Sequence, residues 1–318
     1  MPGLAPVFRK EIADHFSSRR FLILLALIFI AGLAATYVAA QSIRDAVTSS
    51  GAQARFIFLL LFTASNGQLP PFVAFISFLG PLLGLALGFD AINSEHSRGT
   101  LSRVLAQPVY RDAVINGKFL AGLTTIVVMI VAIGLILSGL GLRLIGIPPT
   151  AEEILRLTSF FAVTAVYVAF WMSLAIMFSI FFRQAATSAL AGMAVWIVCT
   201  FFVGMLSGIM ANLLVPLGPD ATLADVVRLQ DTQQALARLS PVTLYGEATF
   251  TLLSPTARTL MPLQLLGLLP EARGMVLTPL PWIMSLQLVW PQIVGLVALT
   301  VVCFVISYIR FMRQEIRA

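Results

Sequence analysis

Six apolar runs, at residues 21–40, 72–89, 119–141, 158–182, 186–214 and 288–308, constrain this chain more than any other feature. Crossing ~30 Å of hydrocarbon at 1.5 Å per residue takes about 20 apolar residues, and a backbone in lipid must satisfy its own hydrogen bonds. The runs are too long for barrel strands, so they predict helices. The expected architecture is an all-α polytopic membrane protein, one transmembrane domain over 1–318 with six transmembrane helices. Composition agrees, since 59% hydrophobic residues, 11% charged residues and a mean hydropathy of +0.96 exceed what a soluble core absorbs. The fifth run is longer than a bilayer requires, which predicts tilt or final turns at the interface near Pro216. Cys199 and Cys303 sit inside apolar runs, where packing rather than a disulfide is expected.

Lysine and arginine set the expected orientation. With the N-terminus inside, twelve of them fall on the cytoplasmic side and eight outside, and the outer eight are matched by eight carboxylates. The whole formal charge of +6 then lies on the cytoplasmic face, with both termini. The basic balance therefore reads as topology and contact with anionic lipid, not as a nucleic-acid site.

The segment before the first run carries Glu11 and Asp14 and precedes an apolar stretch too long for a signal peptide. Phe8, Ile12 and Phe16 recur every four residues, which predicts an amphipathic interfacial helix over residues 4–20 lying on the inner leaflet. In the second run, Gly80, Gly84 and Gly88 line one helix face and predict close helix packing.

The dense polar segment on the cytoplasmic side is 90–118. Thr100 can cap a short helix in which Leu101, Val104 and Leu105 share a face and Pro108 ends the turn. A helix this short must dock its apolar face on its own spans or on a partner. Asp90, Glu95, Arg98-Gly99-Thr100-Leu101, Gln107-Pro108-Val109, Arg111 and Gly117-Lys118 together resemble the intracellular loop of ABC-2-type permeases. The run is most similar to the branch containing the permease of the nitrous-oxide reductase maturation system. The resemblance implies a cytoplasmic ABC ATPase gripping each half of a permease dimer. Glu95, Arg98, Gly99, Thr100, Leu101, Val104, Leu105, Pro108 and Arg111 would then form a cytoplasmic coupling helix and its anchor. With the charge bias, it also implies a bacterial inner-membrane location.

Between spans five and six, 216–287 forms an enlarged extracytoplasmic region. Thr222 can cap a helix ending near Leu239, and a series of prolines then predicts short helices on or dipping into the outer interface. An external protein partner is expected to bind there if the machine transmits force. Asp112 stands where a Walker A loop before Lys118 needs its first glycine, so no nucleotide cofactor is expected on this chain and ATP with Mg is assigned to the partner ATPase. His15 and His96 lack neighbours at ligand spacing, so no metal is expected. The spans carry no ionisable residue in their central turns, which argues against an ion-coupled transporter. The functional expectation is a non-catalytic permease subunit that couples ATP hydrolysis on another chain to export or to force on an external protein. The alternative is a membrane scaffold or intramembrane enzyme with no ATPase partner.

Overall fold

The computed structural model describes residues 3–50, 56–67, 69–97, 110–218, 222–255 and 279–313. Among these the chain is helical, and six helical segments are long and apolar enough to cross a membrane, as the apolar runs predict. The helices are α1 (Leu4–Ser17), α2 (Arg19–Ser50), α3 (Ile57–Thr63), α4 (Phe72–Gly88), α5 (Asn93–Ser97), α6 (Arg111–Ile145) and α7 (Ala151–Phe181). They continue with α8 (Ala185–Ile197), α9 (Val203–Leu214), α10 (Leu223–Ala237), α11 (Pro241–Leu253) and α12 (Trp282–Arg313). The spans are α2, α4, α6, α7, α8 with α9, and α12. The protein is a multi-pass integral membrane protein.

The fourth span, α7, is the spine. Its most apolar window is 72% buried against 11% for the fifth span, because α4, α6, α8, α11 and α12 all pack on it. At α4 the approach is backbone to backbone. A Cβ on Gly84 would lie 2.5 Å from the Val168 carbonyl oxygen, and one on Gly88 2.6 Å from that of Met172. Gly80 has more room, with Val168 Cγ2 at 3.3 Å. Two backbones can come this near only where no side chain stands between them.

The segment α1 is a separate helix, divided from α2 by the extended backbone of Ser18. It packs along the first turns of α6, where a Cβ on Gly117 would meet Val7 at 2.8 Å. Phe8 and Ile12 are half-buried and Phe16 is exposed, whereas the buried residue of α1 is Glu11. The protein-facing stripe is therefore Leu4, Val7, Glu11 and His15, one step around the helix from the phenylalanine face.

The opposite end is closed by inserted short helices. Phe58, Leu59, Leu61 and Phe62 of α3 are all buried, and Glu153 receives the Phe58 N–H at 2.8 Å while completing a capping box with Thr150 at the start of α7. Arg156, one turn on, is fully buried. It pairs with Glu152 at 3.0 Å and donates to the Leu252 carbonyl at 2.9 Å, to Ser285 at 3.2 Å and to the Leu280 carbonyl. One guanidinium thereby ties α7 to the end of α11 and the start of α12.

The region after the fifth span does not stay at the surface. Thr222 caps α10 through a capping box with Asp225, as its sequence predicts. From there α10 descends along α9, and Ser240 donates its hydroxyl to the Cys199 carbonyl at 2.9 Å. Cys199 stands near the midpoint of the fifth span, Ala185–Leu214. The chain then turns, and α11 climbs back between α7 and α12, with Tyr245 stacked on Tyr167 at 4.1 Å and its hydroxyl 2.9 Å from Thr164. The pair is a re-entrant hairpin that reaches mid-membrane, deeper than the interfacial helices expected. Its tip meets the one irregular stretch of span five, a π-helix at Val198–Phe202. The Cys199 carbonyl that accepts from Ser240 belongs to this stretch.

Candidate functional site

The polar cluster at the α1 end is assembled from three helices. Lys118, on α6, would be a poor choice for a membrane helix interior without partners, since a buried ammonium without compensation is costly. It has two. Its Nζ lies 2.8 Å from Glu11 Oε1 of α1 and 2.9 Å from Glu95 Oε1 of α5, with its side chain only 6% exposed. Lys10 flanks the same group at 3.2 Å from Glu11 and 3.9 Å from Glu95. Beside it Arg20, at the start of α2, pairs with Asp90 at 2.8 Å and lies over the Phe89 ring. The Ser179 hydroxyl of α7 receives the N–H groups of Ile92 and Asn93 at 2.9 and 3.1 Å. Thus α1, α2, α6 and α7 are each tied to the segment that leaves span two.

Electrostatics follow from the burial. Burial alone would raise the Glu11 carboxyl, but Lys118 and then Lys10 outweigh it and hold Glu11 below the usual carboxylate range. His15, on the same face of α1, is pushed below its ordinary value mainly by burial. Between α1, the end of α4 and α6 lies a cavity of about 710 Å³ lined by both signs of charge, among them Lys10, Asp14, Arg19, Asp90 and Glu95. Among the described residues no group of His, Cys, Asp and Glu is arranged to hold a metal ion.

Of the residues singled out from sequence, Glu95 lies in this cluster and Arg111 opens α6 at its edge. Arg98, Gly99, Thr100, Leu101, Val104, Leu105 and Pro108 lie outside the described residues, as does the coupling helix they would form. Gly80, Gly84 and Gly88 lie on α4 against α7, as described above. Glu11 and Lys118 were not anticipated as partners. The signal for Glu11 is a carboxylate falling on the stripe Leu4, Val7 and Glu11, where a surface helix has no reason to place one.

The chain is 28% identical over 161 residues to the probable ABC transporter permease protein NosY of Pseudomonas aeruginosa, a match covering 50% of this chain and 52% of that protein. It spans about half the length of that curated relative. A family model described as ABC-2 family transporter protein matches residues 5–316, from the docked helix α1 past the end of α12. A match over nearly the whole length, on a bundle of six spans, places this chain in the ABC-2 transporter family.

Proposed function

We propose that this protein is the non-catalytic permease subunit of an ATP-driven transport complex, embedded in a bacterial inner membrane with both termini cytoplasmic. A separate ABC ATPase, carrying ATP and Mg, docks on the 90–118 loop, and a second permease copy completes the complex. The observation that carries the reading is the Lys118 cluster. It joins the root of that loop to α1 and α6, so a force applied to the loop is delivered to several spans at once. A lone solvated loop would have no use for a buried lysine bridging two carboxylates.

Export of an amphipathic substrate is favoured over force transmission alone. The helix α11 is built into the bundle between α7 and α12 and so offers little surface to an external protein. The test is an affinity pull-down of the tagged, detergent-solubilised chain. A P-loop ATPase retained in stoichiometric amount is expected, and Glu95→Arg combined with Leu101→Arg abolishes its retention. A folded sample that retains no ATPase would overturn the permease reading in favour of a scaffold or enzyme. Excision of 256–278 separates the two modes: an exporter keeps its assembly and changes substrate-stimulated ATP hydrolysis, whereas a force transmitter loses its external partner.

A further inference from the structure

The polar bonds of α10 fix which way it faces. Glu247 of α11 receives Gln234 Nε2 at 2.9 Å and Arg238 Nε at 2.9 Å from one flank of α10, and Gln292 Nε2 of α12 at 2.8 Å. Gln233, on another side, faces Gly208 of α9. With α9 and α11 on those sides, one stripe is turned outward. From Ala224 onward its exposed residues are Ala224, Arg228, Asp231, Ala235 and, just past the end of the helix, Leu239. Steps of four, three, four and four positions keep them on one helix face. No residue of α10 is buried.

That face carries its own complement. Arg228 and Asp231 stand one turn apart between two alanines, and a groove of about 470 Å³ beside them runs over Leu223, Ala224, Val227 and Thr232. Ser240, bonded to Cys199, marks the middle of the fifth span, and Asp231 lies about 13 Å from that level at 1.5 Å per residue, near the edge of a ~30 Å hydrocarbon core. Opposite charges attract more strongly there than in bulk water. The helix on which α10 packs, α9, belongs to the least buried span, whose most apolar window is 11% buried against 22% or more in the other five.

We infer that this face of α10 packs against the same face of a second copy, with Arg228 of each chain pairing with the partner's Asp231. Two copies inserted in one orientation are related by an axis along the membrane normal, so their α10 helices run parallel. The paired residues are then offset by three positions, about 4.5 Å at 1.5 Å per residue, within reach of an arginine side chain. The contact is isologous and makes two such pairs. Ala224 and Ala235 let the backbones approach on either side of the charges. Acyl chains serve neither charge, and an unrelated protein would have to bring the matching order of charges, whereas a second copy brings it by symmetry. The inference rests on the second copy in the permease reading and names the surface it uses.

The test is disulfide cross-linking of the full chain in membranes, on a background in which Cys199→Ala and Cys303→Ala remove the native thiols. Ala224→Cys and Ala235→Cys are each expected to give a linked dimer on oxidation, and Leu135→Cys, exposed on α6, is not. Adding Arg228→Asp or Asp231→Arg to Ala224→Cys sets like charges opposite each other, and the linked fraction should fall about tenfold or more. Co-expression of these two variants restores the link, because one copy then carries aspartate at both positions and the other arginine at both. Links that survive either reversal, or that co-expression fails to restore, overturn the pairing. Absence of a link at both alanines overturns it too and assigns the stripe to lipid or to another protein. A chain that fails these tests but still retains an ATPase in the affinity pull-down leaves the permease reading standing while this pairing falls.

Discussion

The two buried cations at opposite ends of the bundle are held in different ways. Arg156 is enclosed completely, and its partners are mostly backbone carbonyls and a serine hydroxyl, groups that cannot move without moving α11 or α12. Lys118 is held by two carboxylates on α1 and α5, flanked by a third cation, and opens on a cavity of about 710 Å³. A planar fork set among fixed acceptors makes a rigid joint, while a point charge on a flexible stem can exchange one carboxylate for another. The far end is built to stay closed, and the α1 end is built to re-pair.

The largest effect that would break this contrast is at Arg156. Arg156→Met leaves the Leu252 and Leu280 carbonyls and the Ser285 hydroxyl without their donor inside a packed bundle, besides the half-buried Glu152, and a loss of ~3–5 kcal/mol is expected. It should appear as loss of the monodisperse peak in fluorescence-detected size exclusion. Lys118→Met should cost less, about 2–4 kcal/mol, because the abandoned carboxylates border the cavity and can be rehydrated. Adding Glu11→Gln to Lys118→Met should recover more than half of that loss in thermal unfolding. No such rescue is expected when Glu152→Gln is added to Arg156→Met, and equal rescue at both ends would end the distinction.

Gly84 lies between the two ends and sharpens the comparison. Gly84→Ala forces a methyl to within 2.5 Å of the Val168 carbonyl oxygen and should cost roughly 1–3 kcal/mol by overpacking, seen as a lowered thermal midpoint. Both ends should loosen together, because α4 and α7 connect them.

The smallest effect is with pH. The folded Glu11 carboxyl lies below its reference value of 4.5, so its stabilisation is present above that value and is lost as pH falls through the folded one. His15, held below 6.5, likewise favours the docked α1 above that value and less so as pH falls. Relative to the intrinsic rate at each pH, the protection of α1 amides should therefore fall from neutral pH to below 4.5, while that of amides near Arg156 stays unchanged. His15→Phe should remove the earlier part of that change.

The spans were legible because length and apolarity in lipid leave few alternatives. The Thr222 cap was legible because a capping box is local. The depth of the hairpin was not, since α10 is polar enough to suggest a surface helix and the burial of α11 depends on α7 and α12, distant in sequence. For the same reason Glu247 and Arg238 read as outer charges, and spans without ionisable residues said nothing of a hairpin that brings them in. At the α1 end, a period of four through Phe8, Ile12 and Phe16 was real but selected the flank. Glu11, a carboxylate on the docking stripe, carried the information and served in the sequence only as an argument against a signal peptide.

The π-helix at Val198–Phe202 has a further consequence for the fifth span. One residue beyond the α-helical count turns everything after it by about 100° relative to everything before. The half that leans on α4 and α7 and the half that receives α10 are thereby phased independently. Deleting a single residue from this stretch would heal the helix and rotate Gly208 away from Gln233, unseating the hairpin without touching it. The fifth span behaves as two rods joined at a swivel, and the hydroxyl of Ser240 is the pin that sets its angle.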